Sequence, residues 1–252
     1  MNLDDVDARL LERVVARLRD LEPETTGVLV FGSYARGDAS PHSDLDVYAV
    51  TRGDAHERYR TWFDGAMHVS AGALSAAELL AERAESPSWA LGFPVRTPAR
   101  WLWALPEAVA ALGDPPDLVH APGSPELEDF VEAAGKALRA NEPIALRIAA
   151  RMAAEWAVTL LRPLNRERTV HSRTDAARAA LALAVAPPEW PDAFAAAFGL
   201  RAATDDEVRA AVERLARGVL ALLRARAPDV DPQPELARYL ADGTLERHLG
   251  LA

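Results

Sequence analysis

Two small residues and two carboxylates mark the ends of neighbouring apolar runs. Gly32-Ser33 follows Val28–Phe31, and Asp44-Leu45-Asp46 opens the run that continues through Val47 and Ala49. Val28–Phe31 reads as a short buried strand, and Gly32 lets the backbone turn sharply with no Cβ in the way. A helix starting there exposes N–H groups that favour an anion, the Ser33 hydroxyl adds a donor, and Arg36 offers a planar fork suited to phosphate oxygens. In an extended strand Asp44 and Asp46 project to the same side. Like charges so close repel, and a divalent cation relieves the repulsion; hard oxygen ligands suit Mg²⁺, which also takes ligands from phosphates and water. The layout is one for holding a metal-bound triphosphate, with Gly32, Ser33 and Arg36 at the phosphates and Asp44 and Asp46 at the metal. The plain structural alternative is a polar loop, Arg36–Ser43, whose aspartates cap nearby backbone.

A second pair lies far along the chain. In Glu132-Ala-Ala-Gly-Lys136 the carboxylate and ammonium stand at i and i+4, on one face of a helix. Spacing alone reads as a surface ion pair. The same carboxylate could also accept the proton of a hydroxyl nucleophile.

The elements that must position these groups are legible in part. Leu3, Val6, Leu10, Leu11, Val14, Val15 and Leu18 recur at three and four, predicting an amphipathic first helix. The two strands of the carboxylate motif follow, and Tyr59–Phe63 is expected to close a short helix. Met67, Val69 and Ala71 alternate with His68, Ser70 and Gly72, the pattern of a third strand in the same sheet. Ser75-Ala-Ala-Glu78 is a capping box opening a helix of about ten residues. Pro87–Trp103, with Trp89, Phe93, Trp101 and Trp103 among prolines, reads as a rigid aromatic connector that packs between domains rather than lining a pocket. Pro115-Pro116 and Ala121–Ser124 mark the expected domain boundary. Beyond it, helices are predicted over Pro125–Ala140, Pro143–Leu164, Thr174–Val185, Pro191–Phe198, Asp205–Arg226 and Pro234–Leu249.

The fold class is therefore α+β: a small mixed β-sheet domain with flanking helices over residues 1–122, then an all-α helical bundle over 123–252. Half of the 252 residues are hydrophobic, enough for a sizeable core, and with no cysteine there is no disulfide framework or thiolate chemistry. The net charge of −10 argues against a nucleic-acid partner. Up to Pro122 there are 11 Lys and Arg against 19 Asp and Glu, a net of −8, which would attract a cationic small molecule. The acidic start Met1–Asp7 lacks the character of a secretion signal, and no apolar run reaches the roughly 18 to 20 residues that span a bilayer, so no membrane partner and a cytoplasmic location are expected. Of the 28 basic residues only Lys136 is a lysine.

The Gly32-Ser33 and Asp44-Leu45-Asp46 pattern, with Arg36 between, resembles the nucleotidyltransferase superfamily that includes DNA polymerase β, in particular its small-molecule-modifying members. That resemblance implies transfer of a nucleoside monophosphate from a Mg²⁺-bound nucleoside triphosphate, here taken as ATP, to a hydroxyl, with pyrophosphate leaving. Phe130-Val-Glu-Ala-Ala-Gly-Lys136 is similar to a helix of the kanamycin nucleotidyltransferase group. By that match Glu132 would be the general base and Lys136 would neutralise charge on the triphosphate. The likeness extends more weakly to Ser75–Leu80, to residues 85–89 and to the helices around Leu160–Leu183. It implies a homodimer and a small cationic acceptor such as an aminoglycoside, the setting of antibiotic resistance. Family members usually carry a third carboxylate on the strand after Asp-x-Asp, and aligning backward from Ser75 puts Ser70 there. Asp64 and Glu78 fall outside that strand, and His68 shares the Ser70 face. A different class stays open beside the enzyme: a catalytically weakened nucleotide-binding or antitoxin-like regulatory protein that acts through a protein partner.

Overall fold

Asp7 accepts a hydrogen bond from the Arg9 backbone N–H and starts α1, Ala8–Leu21, which buries Val14 and Leu18. The computed structural model describes residues 1–53, 55, 59–84, 90–96, 98–112, 124–166, 168–226 and 234–251. The chain divides into two compact units, residues 1–85 with 94–117 and residues 86–93 with 118–252. The expected boundary signals Pro115-Pro116 and 121–123, and the 85–89 segment, lie outside the described residues.

In the first unit β1 (Thr25–Val30) runs into the short helix α2 (Gly32–Arg36), followed by β2 (Leu45–Thr51), β3 (Tyr59–Asp64) and β4 (Met67–Ser75). α3 (Ala76–Ala84), β5 (Arg100–Ala104) and α4 (Pro106–Ala111) complete it. The five strands lie in the order β3-β4-β2-β1-β5; β2 and β4 are parallel and the other neighbours antiparallel. One face buries Val28, Val30, Leu45, Val47, Val69 and Ala71 against Leu3, Val14 and Leu18. Each fully buried leucine among them contributes roughly 2 kcal/mol. On the other face Leu29, Phe31, Val50, Leu74 and Leu79 gather with Tyr48 and Trp101. Ser75 and Glu78 form the expected capping box, the Glu78 carboxylate accepting from the Ser75 N–H and hydroxyl at 2.9 Å each.

Two segments depart from the sequence reading. Tyr59–Phe63 does not close a helix; it forms the edge strand β3, because alternation puts Arg60 and Trp62 inward and Tyr59, Thr61 and Phe63 outward. The connector read over Pro87–Trp103 ends in β5, where Trp101 and Trp103 pair with β1 rather than bridging as loop.

The second unit is helical: α5 (Ser124–Arg139), α6 (Pro143–Leu161), a 3₁₀ turn at Arg162–Asn165, α7 (Arg173–Leu181), α8 (Trp190–Phe198), α9 (Asp205–Ala225), α10 (Pro234–Ala241) and α11 (Thr244–Leu249). Buried Ala149, Ala150, Ala153, Ala154 and Ala157 let α6 approach its neighbours α5 and α9 closely. The Arg209 guanidinium caps α5, donating to the Ala140 carbonyl at 2.9 Å and to those of Ala137 and Leu138 at 3.3 Å. The last predicted helix is broken between α10 and α11, where Gly243 takes φ +68°. Among the described residues no helix is long and apolar enough to cross a membrane.

Candidate active site

The end of β1 is tied to β2 by the Phe31 N–H, which donates to the Asp46 carbonyl at 2.9 Å. Gly32 then turns the chain at φ +66°, and a Cβ built on it would lie 2.1 Å from Asp46 Oδ2. Glycine is required here twice over, for the left-handed backbone and for the approach of the carboxylate. α2 begins at that turn, presenting its first N–H groups and Ser33, and ends at Gly37, whose N–H returns to the Ser33 carbonyl at 2.9 Å.

Asp46 is the second residue of β2, and Asp44 precedes the strand. Burial, then the neighbouring charge of Asp44, push the Asp46 carboxyl up to about 6, against the opposing pull of Arg36 and His68. Across the parallel pairing Asp46 stands opposite Ser70, whose buried hydroxyl donates to Asp44 Oδ2 at 2.7 Å. His68 Nδ1 lies 4.0 Å from the same Asp44 oxygen. Its imidazole stacks on Phe63 with ring centroids 4.9 Å apart. Arg36 pairs with Asp38, Nη2 to Oδ1 at 3.1 Å and Nε to Oδ2 at 3.2 Å. Gly32, Ser33, Arg36, Asp44 and Asp46 thus all belong to one end of one sheet, as their spacing led us to expect.

The donor set fits a hard divalent cation. Asp44 and Asp46 bring two adjacent carboxylates, and burial, then the Asp44 charge, already raise Asp46. Among the described residues no group of three or more His, Asp or Glu side chains is arranged to hold a metal. A cation here would take two protein ligands and complete its shell from phosphates and water, as Mg²⁺ commonly does. Among the described residues, neither nearby acidic side chain replaces the carboxylate expected at Ser70. Asp64 is held by Arg13 at 2.7 and 3.0 Å, and Glu78 is used in the capping box of α3.

Glu132 and Lys136 belong to the second unit and pair with each other along α5, both well exposed. The Lys136 hydrogen bond, then its charge, hold the Glu132 carboxyl below its ordinary value. This is the geometry of a surface ion pair.

Sequence reasoning missed two contributions. Ser70 counted only as a lost charge, yet its hydroxyl fixes one oxygen of Asp44; the shared parity of Asp46 and Ser70 on paired strands carried that signal. Phe63 was assigned to a helix, which hid its place against His68.

Residues 11–88 match the family model described as "Nucleotidyltransferase domain", and residues 126–225 match the model described as "Nucleotidyltransferase, substrate binding domain". No curated protein gives a significant match. The first match encloses Gly32, Ser33, Arg36, Asp44 and Asp46; the second encloses Glu132 and Lys136.

Proposed function

We propose that this chain, built of a nucleotidyltransferase domain and a nucleotidyltransferase substrate-binding domain, moves AMP from Mg²⁺-bound ATP to a hydroxyl of a small cationic acceptor of the aminoglycoside type. The observation that carries the reading is Asp46 packed against the Gly32 turn at the head of α2, with the Asp44 charge beside it.

Asp44 and Asp46 would hold the metal, which when bound neutralises charge on the triphosphate oxygens and on the departing pyrophosphate. Ser33, with the first N–H groups of α2, receives phosphate oxygens on the β1 side of the carboxylates. Arg36 adds positive charge beside them while Asp38 restrains its fork. Asp46 acts as an anion, so it must lose the proton that burial encourages it to keep. The acceptor oxygen attacks the α-phosphorus, the bond to pyrophosphate breaks, and the hydroxyl proton passes to Glu132. Lys136 stabilises negative charge near the triphosphate. A homodimer and a cytoplasmic site of action go with this reading. The acidity of residues 1–122 supports a cationic acceptor. The substrate-binding match over 126–225 favours an enzyme over a regulatory protein working through a partner.

Incubation with ATP, Mg²⁺ and a panel of aminoglycosides, followed by mass spectrometry, tests this. Products heavier by one AMP are expected. No product from any acceptor, with ATP binding intact, would overturn the reading.

A further inference from the structure

Phe63, 71% exposed, is the most exposed large apolar side chain among the described residues, and its place in the sheet gives it a use. Phe63 pairs directly with His68 across β3 and β4, and Ser70 pairs with Asp46 across β4 and β2. Directly paired residues project to the same side of a sheet, as do residues two apart in a strand. Phe63, His68, Ser70 and Asp46 therefore share one face. The contacts agree: Phe63 stacks on His68, His68 lies 4.0 Å from Asp44, and Ser70 bonds Asp44. Tyr59, 64% exposed, continues the same face along β3.

The direction of the reaction decides what this face meets. The turn and helix start that suit the triphosphate follow β1, on one side of β2; β4 and the edge strand β3 lie on the other. In an in-line displacement the attacking oxygen approaches opposite the leaving group. With pyrophosphate departing toward Gly32-Ser33, the attacking hydroxyl must come from the β4 and β3 side, past His68 and Phe63.

We propose that Phe63, backed by the His68 ring, is a docking platform for the acceptor, and that it selects a cationic, ring-shaped polyol such as an amino sugar. The aromatic face attracts the ammonium groups and covers the apolar C–H face of the sugar, while Asp44 and Asp46 add negative charge beside it. This assignment rests on the transfer reaction proposed above, but it concerns a different contact and can fail separately.

The test places 4-fluorophenylalanine at position 63 and follows its ¹⁹F resonance during titration with kanamycin in the presence of Mg²⁺ and a non-hydrolysable ATP analogue. A saturable shift is expected. In parallel, Phe63→Ala should raise the KM for kanamycin about fivefold or more, the size of a cation–π contact, leave ATP affinity unchanged and be rescued by Phe63→Trp. Because Phe63 is exposed on an edge strand, the truncation leaves the core intact, which circular dichroism verifies. Turnover of kanamycin without a shift would overturn the platform and leave the reaction standing. A shift with no product from any acceptor of the panel would support the platform and overturn the reaction. Neither a shift nor a product from any acceptor would overturn both. A shift caused by ATP and Mg²⁺ alone, or by raising protein concentration, would put the adenine or a second copy on Phe63 and overturn the acceptor assignment.

Discussion

Gly32 and Asp46 share a space that admits no side chain between them, since a Cβ on Gly32 would sit 2.1 Å from Asp46 Oδ2. Gly32→Ala must therefore displace the carboxylate as well as strain a backbone held at φ +66°. We expect a loss of about 2 kcal/mol in stability, read as a lowered melting temperature. Mn²⁺ binding, followed by electron paramagnetic resonance, should weaken in the same variant.

Asp46 opposes stability in the metal-free protein. Its folded pKa of about 6 lies above the ordinary 3.8, so between those values the folded state holds a proton that the unfolded state has released. Stability contributed by the protonated group is present at the acid end and is lost as pH rises through about 6. Asp46→Asn should accordingly raise the melting temperature of the metal-free protein at pH 8 and change it little at pH 4. Turnover by the same variant should fall by about 100-fold or more, the scale of losing a key electrostatic group.

The pH dependence of catalysis follows the opposite sense. Asp46 must be ionised to act, so initial rates at subsaturating Mg²⁺ should decline as pH falls through about 6. Saturating Mg²⁺ should move that decline to lower pH, because a bound cation favours the anion. A rate independent of pH from 5 to 8 at low Mg²⁺ would contradict the role given to this carboxylate.

Ser70→Asp restores a third carboxylate beside two others. Isothermal titration with Mn²⁺ should show affinity rising by about tenfold, since ligand charge count sets affinity for hard cations. Without metal the same variant should melt lower than wild type, from added like-charge repulsion.

Glu132→Gln separates the two readings of the α5 pair. If Glu132 takes the hydroxyl proton, turnover falls by about 100-fold or more while ATP binding persists. If the pair is only a surface contact, stability and activity both stay near wild type.

What the sequence disclosed follows from how local its signals are. Gly32-Ser33, Asp44 and Asp46 were legible because turn chemistry and strand parity act within a dozen residues. The long helices carried strong three-four periodicity and emerged with ends shifted by a few residues. β3 was misread because an edge strand lacks one wholly apolar face: Tyr59 and Phe63 stay in solvent while Arg60 turns inward to pair with buried Glu22 at 2.6 Å. β5 was missed because Trp101-Leu102-Trp103 does not alternate, and its identity comes only from a partner strand some 70 residues earlier.

The first unit is discontinuous in the chain: among the described residues, 90–93 belong to the second unit before the polypeptide returns to form β5. A gene fragment ending at residue 85 would keep every carboxylate and glycine of the β1–β4 site. It would also strip β1 of its outer neighbour, leaving a row of bare amide and carbonyl groups open to pairing with other chains. Such a fragment should aggregate, so the catalytic half cannot be prepared by a single cut, and a donor-only binding domain would need Arg100–Ala104 spliced back through a designed linker.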